Sequence, residues 1–218
     1  MKSDAELKRD VVAELAWDPQ IKDKETSIGV TVKDAVVTLT GHIETYAEKY
    51  AARDAVQRVA GVKATALELD VRLAPEHKRS DTDIAISAEQ ALKWSSSASP
   101  DKIRLTVDHG WVTIKGEVEW DFQRRSVENA IRPLTGVVGL SDELTLVVKP
   151  QAADLSNKIE EALKRQAVRE AGRIEVHVAG ATVKLSGRVH SWNERATVEG
   201  VVWSAPGVRS VVNDLAVG

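Results

Sequence analysis

The chain has no cysteine, which excludes disulfides, thiolate metal sites, thiol nucleophiles and a lipidated N-terminal cysteine. Aromatic residues are scarce: six Trp, two Tyr and one Phe in 218 residues, so any core must be built from Val, Leu, Ile and Ala. Positive charge is not in excess either. Lys and Arg number 30 against 33 Asp and Glu, and a net charge of −3 offers nucleic acid no basic stripe. No apolar run reaches the length of a membrane span. Residues Met1 to Asp10 lack the apolar stretch of a signal peptide. As it stands the sequence predicts a cytoplasmic protein, or a periplasmic one if a leader has been removed. Hydrophobic residues at 43% and charged residues at 29% describe an ordinary globular chain.

What the chain does have is repetition. Three glycines follow the same strand-like pattern, in Val37-Thr38-Leu39-Thr40-Gly41-His42-Ile43, Val112-Thr113-Ile114-Lys115-Gly116-Glu117-Val118 and Val183-Lys184-Leu185-Ser186-Gly187-Arg188-Val189. Each is followed twenty residues later by a second glycine, Gly61, Gly136 and Gly207, and then by a Val. Upstream, the alternating runs Ile28/Val30/Val32, Ile103/Leu105/Val107 and Ile174/Val176/Val178 predict strands with one buried face, joined by a short turn to the glycine-bearing strand.

Before each hairpin, Leu7/Val11/Leu15, Ile84/Ala88/Leu92 and Leu155/Ile159/Leu163 recur at four-residue steps, as on one helix face, and Ser3 with Glu6 forms a capping box. A second helix follows each anchor glycine. It is opened by Thr45-x-x-Glu48 in copy one and Ser191-x-x-Glu194 in copy three, and carries the stripes Ala52/Ala55/Val56/Val59, Val127/Ala130/Ile131/Leu134 and Val198/Val201/Val202/Ala205. The anchor glycines are expected at the strand-to-helix corner, and the second glycines at the helix C-cap. A last strand carries Thr65/Leu67/Leu69/Val71, Leu140/Leu144/Leu146 and Val211/Leu215/Val217.

The prediction is an α+β fold of three tandem αββαβ modules, each with two helices packed on one face of a three-stranded mixed sheet. The modules span 1–74, 80–149 and 153–218, separated by Pro-bearing polar linkers around Pro75 and Pro150.

Catalytic and cofactor chemistry finds no foothold. There is no phosphate-binding glycine loop, and no G-x-S-x-G elbow serves the serines around Ser95. The histidines His42, His77, His109, His177 and His190 show no metal-ligand spacing. Carboxylates are scattered over polar helix faces. No enzyme, no cofactor and no metal are expected.

The element order and paired glycines resemble the BON domain, named for bacterial OsmY and nodulation proteins. The resemblance is strongest in copy three, where Gly207-Val208-Arg209-Ser210-Val211-Val212-Asn213-Asp214-Leu215 keeps a G-V-x-x-V-x-N-x-L ending; copy one has Ala64 and Thr65 at the valine, and copy two has Asp142 at the Asn. The resemblance implies an OsmY-like, transport-associated, stress-related binding protein that engages phospholipid or a membrane surface. A protein-interaction scaffold working through sheet faces or edges is the alternative, and a small-ion or osmolyte-binding protein a further one.

One local feature gives these functions a place. Trp120 occupies the helix N-cap position held by Thr45 and Ser191 in the other copies, and Phe122, Arg124 and Arg125 follow. Trp192 stands near Arg188 and Arg195 in copy three, and Tyr46 opens the same region of copy one. Rings beside cations at a helix start suit an anionic headgroup or the interfacial layer of a bilayer. These eight residues are the candidate lipid site. The competing reading is that the rings pack between modules, and it extends to Trp94, Trp111 and Trp203.

Overall fold

The computed structural model describes residues 2–21, 28–95, 100–147, 158–159, 161–162 and 174–217. Three separate three-stranded sheets are present, and in each the glycine-bearing strand is central. In the first module, α1 (Asp4–Trp17) leads to β1 (Ile28–Lys33), β2 (Val36–Ile43), α2 (Tyr46–Arg58) and β3 (Ala64–Val71). The second repeats this with α3 (Asp81–Trp94), β4 (Ile103–Asp108), β5 (Trp111–Val118), α4 (Asp121–Ile131) and β6 (Gly139–Leu146). The third shows β7 (Ile174–Ala179), β8 (Thr182–Val189), α5 (Trp192–Trp203) and β9 (Ser210–Val217). Residues 158–159 and 161–162 are helical before it, with Ile159 buried in the third core; the expected Leu155 and Leu163, and the linker around Pro150, lie outside the described residues.

Each hairpin is antiparallel, and each last strand joins parallel to the central one, because a helix crosses between them. The sheets are therefore mixed, as expected. Three hydrophobic clusters form, one per module, built from the predicted stripes: Leu7, Val11, Val56 and Leu39 in the first, Ile84, Leu92, Ile114 and Ile131 in the second, Leu185, Val198 and Val202 in the third.

The role of the glycines differs from expectation. Gly41, Gly116 and Gly187 do not sit at the strand-to-helix corner but inside the central strand, each opposite the first residue of the hairpin's other strand (Ile28, Ile103 and Ile174). At Gly116 φ is +142°, and a Cβ would stand 2.1 Å from the Lys102 carbonyl oxygen. The chain entering the sheet passes too close for any side chain. The second glycines also lie beyond the helix cap. α2 ends at Arg58 with Val59 as C-cap, and Gly61, φ +97°, closes the turn that follows.

One device escaped sequence reasoning. Asp4 and Asp81, the first residues of α1 and α3, each accept two backbone N–H bonds from the hairpin turn of their module. The donors are Asp34 and Ala35 (both 2.9 Å) in one and His109 and Gly110 (2.9 and 2.8 Å) in the other. Asp34, Ala35 and His109 have positive φ, and these carboxylates hold the turns in that conformation. The bonds from Gly110 and then His109 lower the Asp81 pKa.

Candidate functional site at the joints between modules

The two second helices expected to open on a Thr or Ser cap do so. Thr45 Oγ1 accepts from Glu48 N and Ser191 Oγ from Glu194 N, both at 3.1 Å. At α4 the Trp120 indole has no acceptor to offer, and only the return half of the box forms: Gln123 Oε1 accepts from the backbone N–H of Trp120 (3.0 Å) and of Glu119 (2.9 Å). The buried Asp121 carboxylate, only 2% exposed, sits at the first position of α4 beside Arg124 and Arg125. The favourable dipole and two cations compensate its burial. Arg125 Nε lies 2.9 Å from Asp121 Oδ2 as an ion pair without hydrogen-bond geometry.

These helix starts meet the ends of other modules. Tyr46 packs against the second core, and Tyr50, one turn on, stacks on Arg132 with the guanidinium carbon 3.5 Å from its ring centroid. Arg124 of the second module lies 5.3 Å from the ring of Trp203, at the end of α5. Trp192 of the third module packs on the first core, and its indole N–H donates to the Val62 carbonyl at 2.7 Å. The start of each second helix thus meets the far end of the next one, and the third contact returns to the first module. A head-to-tail contact of this kind that returns on itself forms a closed ring.

Two joints carry matching clefts. Between modules one and two, Ala47, Tyr50, Arg58, Arg132 and Pro133 line about 220 Å³, together with Asp18 and Gln20 just beyond α1. Between modules two and three, Trp120, Phe122, Arg125, Trp203 and Ser204 line about 260 Å³. Counted from their anchor glycines, Ala47 and Phe122 are equivalent, as are Tyr50 and Arg125, Arg132 and Trp203, and Pro133 and Ser204. The backbone geometry is shared; the lining is not.

Of the eight candidate residues, the structure brings Trp120, Phe122 and Arg125 together in the second cleft, with Arg124 stacked behind on its Trp203 wall. Phe122 is 53% and Trp120 37% exposed. Tyr46 and Trp192 are not part of this cluster; each packs against the next module's core, as the alternative reading had it. Burial, and then neighbouring Tyr50, push the Tyr46 phenol up to about 12. Arg195 is turned inward: it donates to Asn213 Oδ1 at 3.2 Å and lies over the Trp192 ring. Arg188 stands apart, exposed on β8.

Trp203 packs between modules, touching both the second and the third cluster. Trp111 donates its indole N–H to Ser141 Oγ at 2.9 Å within its own module. Two tryptophans are almost bare: Trp17 is 82% and Trp94 90% exposed, each the last residue of its module's first helix. Among the described residues no helix is long and apolar enough to cross a membrane, and no three His, Asp or Glu side chains cluster to hold a metal.

The repeated fold has a counterpart among known families: the BON domain model matches residues 3–72, 80–147 and 151–218. The chain belongs to the BON domain family. That family is not one of enzymes. A search of curated proteins gives no match. Among solved structures, CdsD, a structural protein of the type III secretion system of Chlamydia trachomatis, is similar at 13% identity over 96% of this chain and 91% of that one, with a TM-score of 0.26. The C-terminal domain of CdsD is similar at 14% over the whole of both chains, TM-score 0.26. The periplasmic domain of PrgH is similar at 13% over 88% and 95%, TM-score 0.22. Scores this low leave the arrangement of the three BON modules to be argued from the joints themselves.

Proposed function

We propose that the chain is a stress-related, non-enzymatic protein that binds phospholipid surfaces, and that one face of the module ring makes the contact. BON domains are known as phospholipid- or membrane-binding modules. The observation that carries the reading for this chain is the cleft between modules two and three, where Trp120, Phe122 and Trp203 surround Arg125. Two exposed rings beside the partly exposed Arg125 match the boundary between acyl chain and phosphate.

The bare tryptophans flank that cleft and its counterpart. Trp17 precedes Asp18, which lines the first cleft. Trp94 precedes Ser95, whose hydroxyl lies 3.1 Å from that of Ser126, the equivalent of the cleft-lining Ala51. Trp17 and Trp94 are equivalent positions in two modules, as the two clefts are equivalent joints, and the proposal places them on one face of the ring. Single exposed rings carried on different modules suit a lipid surface better than they suit the contiguous patch of a protein interface. With a net charge of −3, insertion of rings contributes more than long-range attraction.

Co-sedimentation with vesicles of phosphatidylcholine, with and without phosphatidylglycerol, tests this. The W120A/F122A and R125E variants are expected to bind at least about tenfold more weakly, one buried ring accounting for 1.4 kcal/mol or more. W17A/W94A is expected to weaken binding to both vesicle types alike. Equal binding by every variant removes the proposed face, whereas no binding by the unaltered chain removes the lipid reading itself.

A protein-interaction scaffold is the second reading. It is favoured by the sheets, in each of which the first and last strands are edges among the described residues. A strict monomer that retains no partner from lysate would remove it.

A further inference from the structure

The middle module holds an acid pair that its neighbours lack. Asp142 of β6 and Glu128 of α4 occupy the positions that a hydrogen-bonded pair fills in the third module, which sets two carboxyl groups side by side, and a hydrogen bond between two such groups requires a proton. In the third module the equivalent residues are Asn213 and Glu199, and there the amide donates to the carboxylate at 2.8 Å with no proton needed. In the first they are Leu67 and Arg53. Both members of the acid pair are largely shielded, with Glu128 22% and Asp142 16% exposed.

Two arginines bracket the pair, and each reaches into a different module. Arg132 contacts Glu128 Oε2 at 3.2 Å and stacks on Tyr50 of module one. Arg124 approaches Asp142 Oδ2 at 3.8 Å and lies against Trp203 of module three. The other charged or titratable groups facing this cluster are Asp121 and Arg125 on α4, Tyr46, Tyr50 and Arg53 on α2, and Glu199 on α5, which accepts from the Trp203 indole at 3.3 Å. No histidine is among them.

We propose that the Glu128–Asp142 pair is a proton-operated latch that ties the middle module to both neighbours, tightening as the pH falls. With both groups ionised, two adjacent carboxylates repel and compete for Arg124 and Arg132. One proton placed between them turns the repulsion into a hydrogen bond and leaves both guanidinium groups to their rings. Burial, and then the bond to Asp142, raise the Glu128 pKa above its ordinary 4.5. The folded protein therefore holds this proton at a pH where the unfolded chain has released it. The contribution to stability grows as pH falls from the raised value toward 4.5, and is lost as pH rises through the raised value.

The test compares the unaltered chain with D142N, which copies the third module's arrangement, and with E128Q as a second variant. Melting temperature is followed from pH 7.5 to 4.5, together with the nuclear magnetic resonance shifts of the Tyr50 ring and the Trp203 indole. The chain has only two tyrosines and six tryptophans, which makes both signals assignable. The expectation is that the unaltered chain gains melting temperature over the variants on acidification, and that Tyr50 and Trp203 shift with one common midpoint that both variants abolish. Superimposable pH profiles for all three proteins overturn the proposal. A stability difference without movement of either ring also overturns it, since the pair would then serve only the middle module's own core.

Discussion

The two matching clefts occupy the same place in the ring and have been put to different use. Between modules one and two, Tyr50 lies 3.5 Å from the Arg132 guanidinium and 4.0 Å from that of Arg53, distances that place one cation on each face of the ring. Cations stacked this way spend the aromatic surface inside the protein. Between modules two and three, the position of Tyr50 is taken by Arg125, which pairs with Asp121, and the exposed rings belong to Trp120 and Phe122. The same backbone contact thus yields one cleft whose ring is taken up by cations and another whose rings stay exposed. Aromatic and cationic residues side by side in sequence do not tell the two apart; which ring faces which cation does.

The largest effect should come from breaking the middle module, which contributes to both clefts. G116A places a Cβ 2.1 Å from the Lys102 carbonyl on a backbone with φ +142°, and is expected to cost about 4 kcal/mol or more in chemical denaturation. Next is the closure of the ring. W192A removes a ring packed on the first core and the bond to Val62. We expect a loss of about 3 kcal/mol and, by small-angle scattering, a more extended particle in which each module stays folded.

A paired substitution sharpens the contrast between clefts. Y50A should lose about 1–2 kcal/mol through its two cation–π contacts and leave vesicle binding unchanged. F122A should stay within about 0.5 kcal/mol, as exposed positions do, while weakening vesicle binding. The reverse pattern would exchange the roles assigned to the two joints. The smallest effect is spectroscopic. Tyr46, pushed up to about 12 from 10.0 by burial, should remain protonated when an exposed phenol has ionised. Because its folded pKa is raised, its contribution to stability falls as pH climbs from 10 toward 12, which an ultraviolet titration beside an alkaline melting series would follow.

The architecture was legible because three copies of one pattern reinforce each other: period-two runs mark the hairpins, four-residue steps mark the helices, and a helix between the last two strands leaves room for a parallel pair. The glycines were found but misplaced. A close approach by Lys102, remote along the chain, leaves no mark beside Gly116. At the site, Trp120, Phe122 and Arg125 stand out by a departure from capping preference, whereas Tyr46, Trp192 and Arg195, rings and a cation at the starts of normally capped helices, turn inward. Trp203 was missed as a cleft wall because it lies at the opposite end of its helix, in another module. The signal for Trp17 and Trp94 was present, as tryptophans at the same place in two copies, each set just after an apolar stripe that already fills its core.

By itself the sequence determined the modules, since alternation of apolar and polar residues within some seventy positions is a local property that each copy satisfies with its own core. Only the tertiary structure decided how the modules join, which rings are consumed at the joints and which remain exposed. Those outcomes depend on contacts between residues as far apart as Val62 and Trp192, 130 positions along the chain, and no periodicity encodes a partner at that distance.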